Sequence, residues 1–142
     1  MSDLSLGQKQ RLFVRLLGGL MARVYASGYE LTFGEAYRTD EQAVINSLGE
    51  VGRARLADVL ERDFPALAVA VTNNGKGNGI LLSLHGQRLA VDFNLFKDGV
   101  YLTTTEAWAP FGEWWEGQHA LARWGGRFKD GNHFSIEHQG RR

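Results

Sequence analysis

The 142-residue chain contains no cysteine. Disulfide bridges and thiolate metal sites are thereby excluded, and any zinc would have to be held by histidine and carboxylate. It also lacks net charge, since sixteen Lys and Arg balance sixteen Asp and Glu. No global field draws it to nucleic acid or to an anionic membrane, and nucleic acid is not expected as a partner. No run of about 20 apolar residues is present, because Arg15 and Arg23 interrupt the apolar stretch from Leu12 to Tyr25. Stable membrane insertion is therefore not expected. The order of basic start, apolar centre and small-residue cleavage site that marks a signal peptide is missing too. The expectation is a chain made and folded in the cytoplasm.

What is there suits one folded unit. Hydrophobic residues make up 44% and charged residues 23%, ordinary values for a soluble globular protein. The length suffices for a single domain over residues 1–142 with a real core. No repeat or interdomain linker is visible, so no second binding domain is expected.

Ser5 to Ala26 reads as an amphipathic helix, with Leu12, Phe13, Leu16, Leu17, Leu20, Met21 and Val24 at three-to-four spacing. Lys9, Arg11, Arg15 and Arg23 fall largely elsewhere, Gly18-Gly19 would allow close packing, and Gly28 ends the helix. Tyr29 to Tyr37 reads as a strand. Thr39 with Gln42 forms a capping-box pattern, helical periodicity runs from about Arg53 to Leu60, and Phe64-Pro65 ends or restarts it. Asn73 to Gly79 is a Gly- and Asn-rich loop without a phosphate-binding pattern. Strands are expected at Ile80 to Leu84, Leu89 to Phe96 and Val100 to Thr103, with Lys97-Asp98-Gly99 as a hairpin turn. A helix follows over Glu106 to His119. Trp124 to Phe128 and His133 to His138 form a last hairpin around Lys129-Asp130-Gly131-Asn132. Helices first and strands second predict an α+β fold, a central antiparallel sheet flanked by helices.

Four histidines occur, at 85, 119, 133 and 138. His85 stands where a strand meets a turn, and Asp92 is a carboxylate inside the apolar run Leu89-Ala90-Val91-Asp92-Phe93. A charge there is costly unless paired or metal-bound. On one straight strand, residues 85 and 92 face opposite sides, so a shared ion requires a bend, for which Gly86-Gln87 is suited. Two imidazoles and one carboxylate would leave a fourth tetrahedral position for water, the catalytic arrangement of zinc. Asp130, three residues before His133, is placed to act as a proton acceptor. Each residue has a plainer reading: His85 as a capping or surface histidine, Asp92 as a partner of Arg88 or Arg127, and Asp130-Gly131 as a turn dipeptide. Glu137 shares a strand face with His133 and is a further candidate base or ligand.

Ser83-x-His85 followed by Asp92, then Asp130-x-x-His133, resembles the D-alanyl-D-alanine carboxypeptidase and phage L-alanyl-D-glutamate endopeptidase family, which shares a fold with the hedgehog signalling domain. Gly34-Glu35-Ala36-Tyr37-Arg38-Thr39 with Gln42 is similar to that family's early substrate-binding segment. Arg88 to Phe96 with Lys97-Asp98-Gly99, and Trp124-Gly125-Gly126-Arg127-Phe128 leading into His133-Phe134, are similar to the phage-endolysin branch. These motifs span residues 29 to 138.

The resemblance implies a zinc enzyme with His85, Asp92 and His133 as ligands, Asp130 as general base and acid, and Arg38 beside the substrate carbonyl. It also points to Gln42 and Ser83 as substrate-binding residues. For Arg38 the plainer reading is a strand-end salt bridge, and for Gln42 a helix cap. The chain departs from the family in Arg88, where many carboxypeptidases have Gly, in Asp130, where many have Glu, and in Phe128, where Trp is frequent. The first two favour the phage branch. The resulting expectation is a monomeric endolysin that cuts the peptidoglycan stem peptide between L-Ala and D-Glu. It would wait in the host cytoplasm and reach the wall through a separate pore-forming protein. The alternatives are a D,D-carboxypeptidase and a non-catalytic zinc-containing wall-binding module. The basic N-terminal helix would then contact the anionic wall or membrane.

Overall fold

The computed structural model describes residues 3–73 and 83–142. Among them, five α-helices, one 3₁₀ helix and five strands form an α+β architecture around one antiparallel sheet. The predicted fold class is met.

Helix α1 spans Leu6–Ala26 and starts with a complete capping box, the Ser5 hydroxyl accepting from the Gln8 amide and the Gln8 side chain returning to Ser5. Gly28, at φ +83°, ends it in the left-handed region. The Gly19 surface lets the Trp114 ring approach, since a Cβ there would lie 3.1 Å from it. Lys9, counted above among the basic face, is instead buried, with its ammonium 3.4 Å from His138 Nδ1. The exposed basic face is therefore smaller than expected.

Strand β1 is Glu30–Glu35, and helices α2 (Asp40–Ser47), α3 (Glu50–Glu61) and α4 (Pro65–Asn73) follow. Thr39 caps α2 as expected, accepting from the Gln42 amide, but the Gln42 side chain bonds Asn46 instead of closing the box. Helix α3 begins three residues before the predicted onset, and Pro65 restarts the chain as α4. Asn73, the first residue of the predicted Gly-rich loop, ends α4, and the rest of that loop and most of the strand predicted at Ile80 to Leu84 lie outside the described residues. The described part of that strand, Ser83 and Leu84, leads into a turn over 84–88.

Strand β2, Ala90–Lys97, is the hub. One edge pairs with β1; along the other lie β5 (His133–Ile136) and then β3 (Val100–Leu102), every pairing antiparallel. Asp98 and Gly99, at φ +49° and +75°, make the tight β2–β3 hairpin that an Asp-Gly pair favours. Strand β4 is only Ala122–Trp124, and Gly125–Phe128 forms a 3₁₀ turn rather than the predicted continuation of the strand. The two glycines lie against the Trp124 indole and the Asp130–His133 loop, space that an extended strand with side chains would fill.

Alternation along β2 divides the sheet into two faces. Val91, Phe93 and Leu95 are buried with Phe134 and Ile136 against Phe13, Leu20 and Val24 of α1 and Trp108, Phe111 and Trp115 of α5 (Thr105–Glu116). Edge-to-face contacts join Phe13, Trp115, Phe134 and Trp108. Asp92 and its cross-strand partner His133 occupy the opposite face. No helix among the described residues is long and apolar enough to cross a membrane.

Candidate metal centre

His85, Asp92 and His133 converge. One potential ligand atom from each lies within 4.8 Å of the others, forming among the described residues a His–Asp–His group that could hold a metal ion. His133 Nδ1 lies 2.9 Å from Asp92 Oδ1 and His85 Nε2 lies 3.4 Å from the same oxygen. The rings stand edge to face, 5.1 Å apart between centroids.

Local structure explains the convergence. Asp92 and His133 face each other because β2 and β5 are in register at that pair. His85 is delivered by the turn over 84–88, the bend that Gly86-Gln87 suggested. Leu84 and Leu89 anchor it in the core, Leu89 N–H donates to the Leu84 carbonyl at 3.0 Å, and Arg88 N–H donates to that of His85 at 3.2 Å. Arg88 sits at φ +57°, a conformation glycine adopts without strain. The Ser83 hydroxyl accepts from the His85 amide at 3.2 Å, so its present role is to shape this turn.

Burial works against the Asp92 charge, but hydrogen bonds and positive charge from His133 and His85 outweigh it and hold the carboxyl at about 2. Neither Arg88 nor Arg127 is its partner: Arg88 stacks on Tyr37, and Arg127 pairs with Glu116. Glu137 pairs with Arg123 at 2.7 Å and takes no part in the group. The donor set, two buried imidazoles and one half-buried carboxylate, fits a divalent ion of the zinc type. Among the described residues, His85 Nδ1 and His133 Nε2 are buried without a hydrogen-bond partner.

Asp130 reaches the same region. Lys129 turns the chain at φ +64°, Asp130 N–H donates to the Gly125 carbonyl at 2.9 Å, and His133 N–H donates to the Asp130 carbonyl at 3.1 Å. Gly125 permits this closure because a Cβ there would overlap the Asp130 carbonyl. Trp124 Nε1–H donates to the Gly131 carbonyl at 2.7 Å and tethers the loop. Burial pushes the Asp130 carboxyl above its ordinary value; His133 pulls it down, Asp92 raises it, and His85 lowers it. Asp130 thus senses all three ligand candidates. It also borders a cavity of about 180 Å³ whose walls include Tyr101, Thr104, Lys129 and Asn132.

Arg38 follows β1, and its backbone N–H donates to the His85 carbonyl at 3.4 Å. It does form a salt bridge, with Glu35: Nε and Nη2 donate to the two carboxylate oxygens at 2.8 and 2.6 Å. The hydrogen bond to Glu35 raises the guanidinium, burial lowers it, and the charges of Glu35 and Asp92 raise it further. The Gln42 side chain instead donates to Asn46 Oδ1 at 2.6 Å.

Glu35 was not singled out from the sequence. Its Oε2 lies 3.8 Å from His85 Nε2. The only sequence signal was its presence in the Gly34-to-Thr39 segment.

Residues 76–136 match the model of a family described as D-alanyl-D-alanine carboxypeptidase. That segment contains His85, Asp92, Asp130 and His133. No curated protein matches the chain. Among solved structures, the chain is similar to a vancomycin-resistance D,D-pentapeptidase, VanY, from a VanB-type cassette, a mutant in complex with Zn(II). The likeness has 18% identity and a TM-score of 0.46, and covers 87% of this chain and 70% of that one.

Proposed function

From the match to the D-alanyl-D-alanine carboxypeptidase family, we propose that this chain is a zinc-dependent peptidase of peptidoglycan stem peptides. The observation that carries the reading is the meeting of His85, Asp92 and His133 from a turn and two strands, with Asp130 in electrostatic reach. In this reading those three hold zinc, which supplies Lewis acidity toward water and a substrate carbonyl. The Asp130 carboxylate accepts the proton of the attacking water and returns it to the departing amine. Arg38 offers fixed positive charge to the carbonyl oxygen as it becomes anionic. The polar walls of the cavity beside Asp130 suit a peptide rich in amides and carboxylates.

For the bond cut, we favour L-Ala–D-Glu, on the phage-branch motifs around Arg88 to Gly99 and Trp124 to His133. Endolysin action on the wall after cytoplasmic storage belongs to the same proposal. The second reading, removal of terminal D-Ala, is favoured by the description of the matching family. The deciding experiment is digestion of purified peptidoglycan with and without a chelator, followed by mass spectrometry of the products. Free D-Ala selects the carboxypeptidase, and stems severed next to the sugar select the endopeptidase. Unchanged peptidoglycan in the presence of zinc refutes both.

A further inference from the structure

We propose that Glu35 is a positioning residue that locks the Arg38 guanidinium beside the metal-ligand group, and that a β-bulge at Gly34 exists to put it there. The inference rests on the role of Arg38 proposed above.

The bulge is the first observation. Phe33 pairs with Phe93, but the next pair is Glu35 with Asp92, so two residues of β1 oppose one of β2. Simple alternation would place residue 35 on the face of Phe33, away from Asp92. The extra residue reverses that parity and gives Glu35 the face of Asp92 and His133. Gly34 suits the insertion, because a Cβ there would stand 3.1 Å from the Asp92 carbonyl oxygen.

The second observation is the pair itself. Both Glu35 oxygens are engaged, by Nε and Nη2 of Arg38. This two-point fork fixes the guanidinium plane as well as its position. It leaves the Nη1 amino group outside the pair. Arg38 is 15% exposed and Glu35 28%, so water competes weakly for either. A free arginine side chain would otherwise sample many rotamers, and a donor that must meet developing charge has to be ordered beforehand.

The test uses zinc-loaded full-length protein and purified peptidoglycan. Arg38→Ala should lower kcat by about 100-fold, the scale of losing one oxyanion donor. Glu35→Ala should lower kcat by about 10-fold with KM little changed, since the donor remains but is no longer held. The Arg38→Ala/Glu35→Ala double variant should be no slower than Arg38→Ala alone. Glu35→Gln, which keeps shape and one acceptor, should fall between wild type and Glu35→Ala. Bound zinc should stay at the wild-type level throughout. An independent readout is the Arg38 Nε–H resonance, sharp and slowly exchanging in the wild type and lost in Glu35→Ala. Persistence of that resonance in Glu35→Ala overturns the proposal, as does a Glu35→Ala loss that multiplies with that of Arg38→Ala. Loss of zinc from Glu35→Gln would make Glu35 a ligand and overturn it equally. A wild type that leaves peptidoglycan intact refutes the functional reading alone, and the resonance then decides the positioning role.

Discussion

Replacing Asp92 by Asn tests the centre most directly, because it removes one charge and little volume. In the metal-free protein the Asp92 carboxyl is held at about 2 against an ordinary 3.8. The folded state therefore binds this proton less readily than the unfolded chain. The stabilisation is complete above a pH of about 5 and is lost as pH falls through 4 towards 2. The depression corresponds to about 2 kcal/mol. Urea denaturation of chelated protein should show Asp92→Asn less stable than wild type by about that amount at pH 5, with the gap closing near pH 2. Zinc adds a second readout. At 100 times its Kd it should stabilise the wild type by about 2.7 kcal/mol. With an unfolding entropy of about 0.3 kcal/mol/K for 142 residues, that raises Tm by roughly 9 °C. If loss of the carboxylate weakens binding about 100-fold, the same zinc yields about 0.4 kcal/mol, a shift of roughly 1 °C. A stability gap that is the same at pH 5 and pH 2, together with an undiminished zinc shift, would refute the reasoning.

Asp130→Asn should retain zinc and lose hydrolysis by about 100-fold or more, measured as release of soluble wall fragments. Because burial raises the Asp130 carboxyl above its ordinary value, its ionisation opposes folding. The Asn variant should therefore melt higher at pH 7, an advantage that shrinks as pH falls towards the ordinary carboxylate value of 3.8 and is gone below it. Gly112→Ala would press a methyl group into the Trp124 indole, and should cost about 3 kcal/mol, read as a Tm drop of roughly 10 °C. It should slow hydrolysis as well, since Trp124 tethers the loop bearing Asp130.

Much of this was legible in the residues. A carboxylate amid Leu89, Val91 and Phe93 had to be partnered, and it is, by two imidazoles. The bend needed between His85 and Asp92 lies at Gly86-Gln87, where short-range turn chemistry decides. Thr39 and Gly28 punctuate helices where their side chains, or the lack of one, dictate. His85 and His133 could be joined only through the family resemblance, because no local rule pairs a turn residue with a distant strand. Glu35 escaped notice for a sharper reason: strand parity assigns it to the wrong face, and one inserted residue inverts parity without changing composition. Trp124 to Phe128 misled because its aromatic content suits a strand, while the contacts that bend it come from Gly112 and the Asp130 loop.

The register of β2 has a consequence for biogenesis. Asp92 meets His133 only after β5 docks, and it meets Glu35 only after β1 docks on the far edge. An ion captured there certifies that early, middle and late segments have all arrived, and its binding energy is added to the completed fold alone. Chains stalled or cut before residue 133 lack the His133 imidazole. On the proposed function, the complete site is thus withheld from every partial form of the chain.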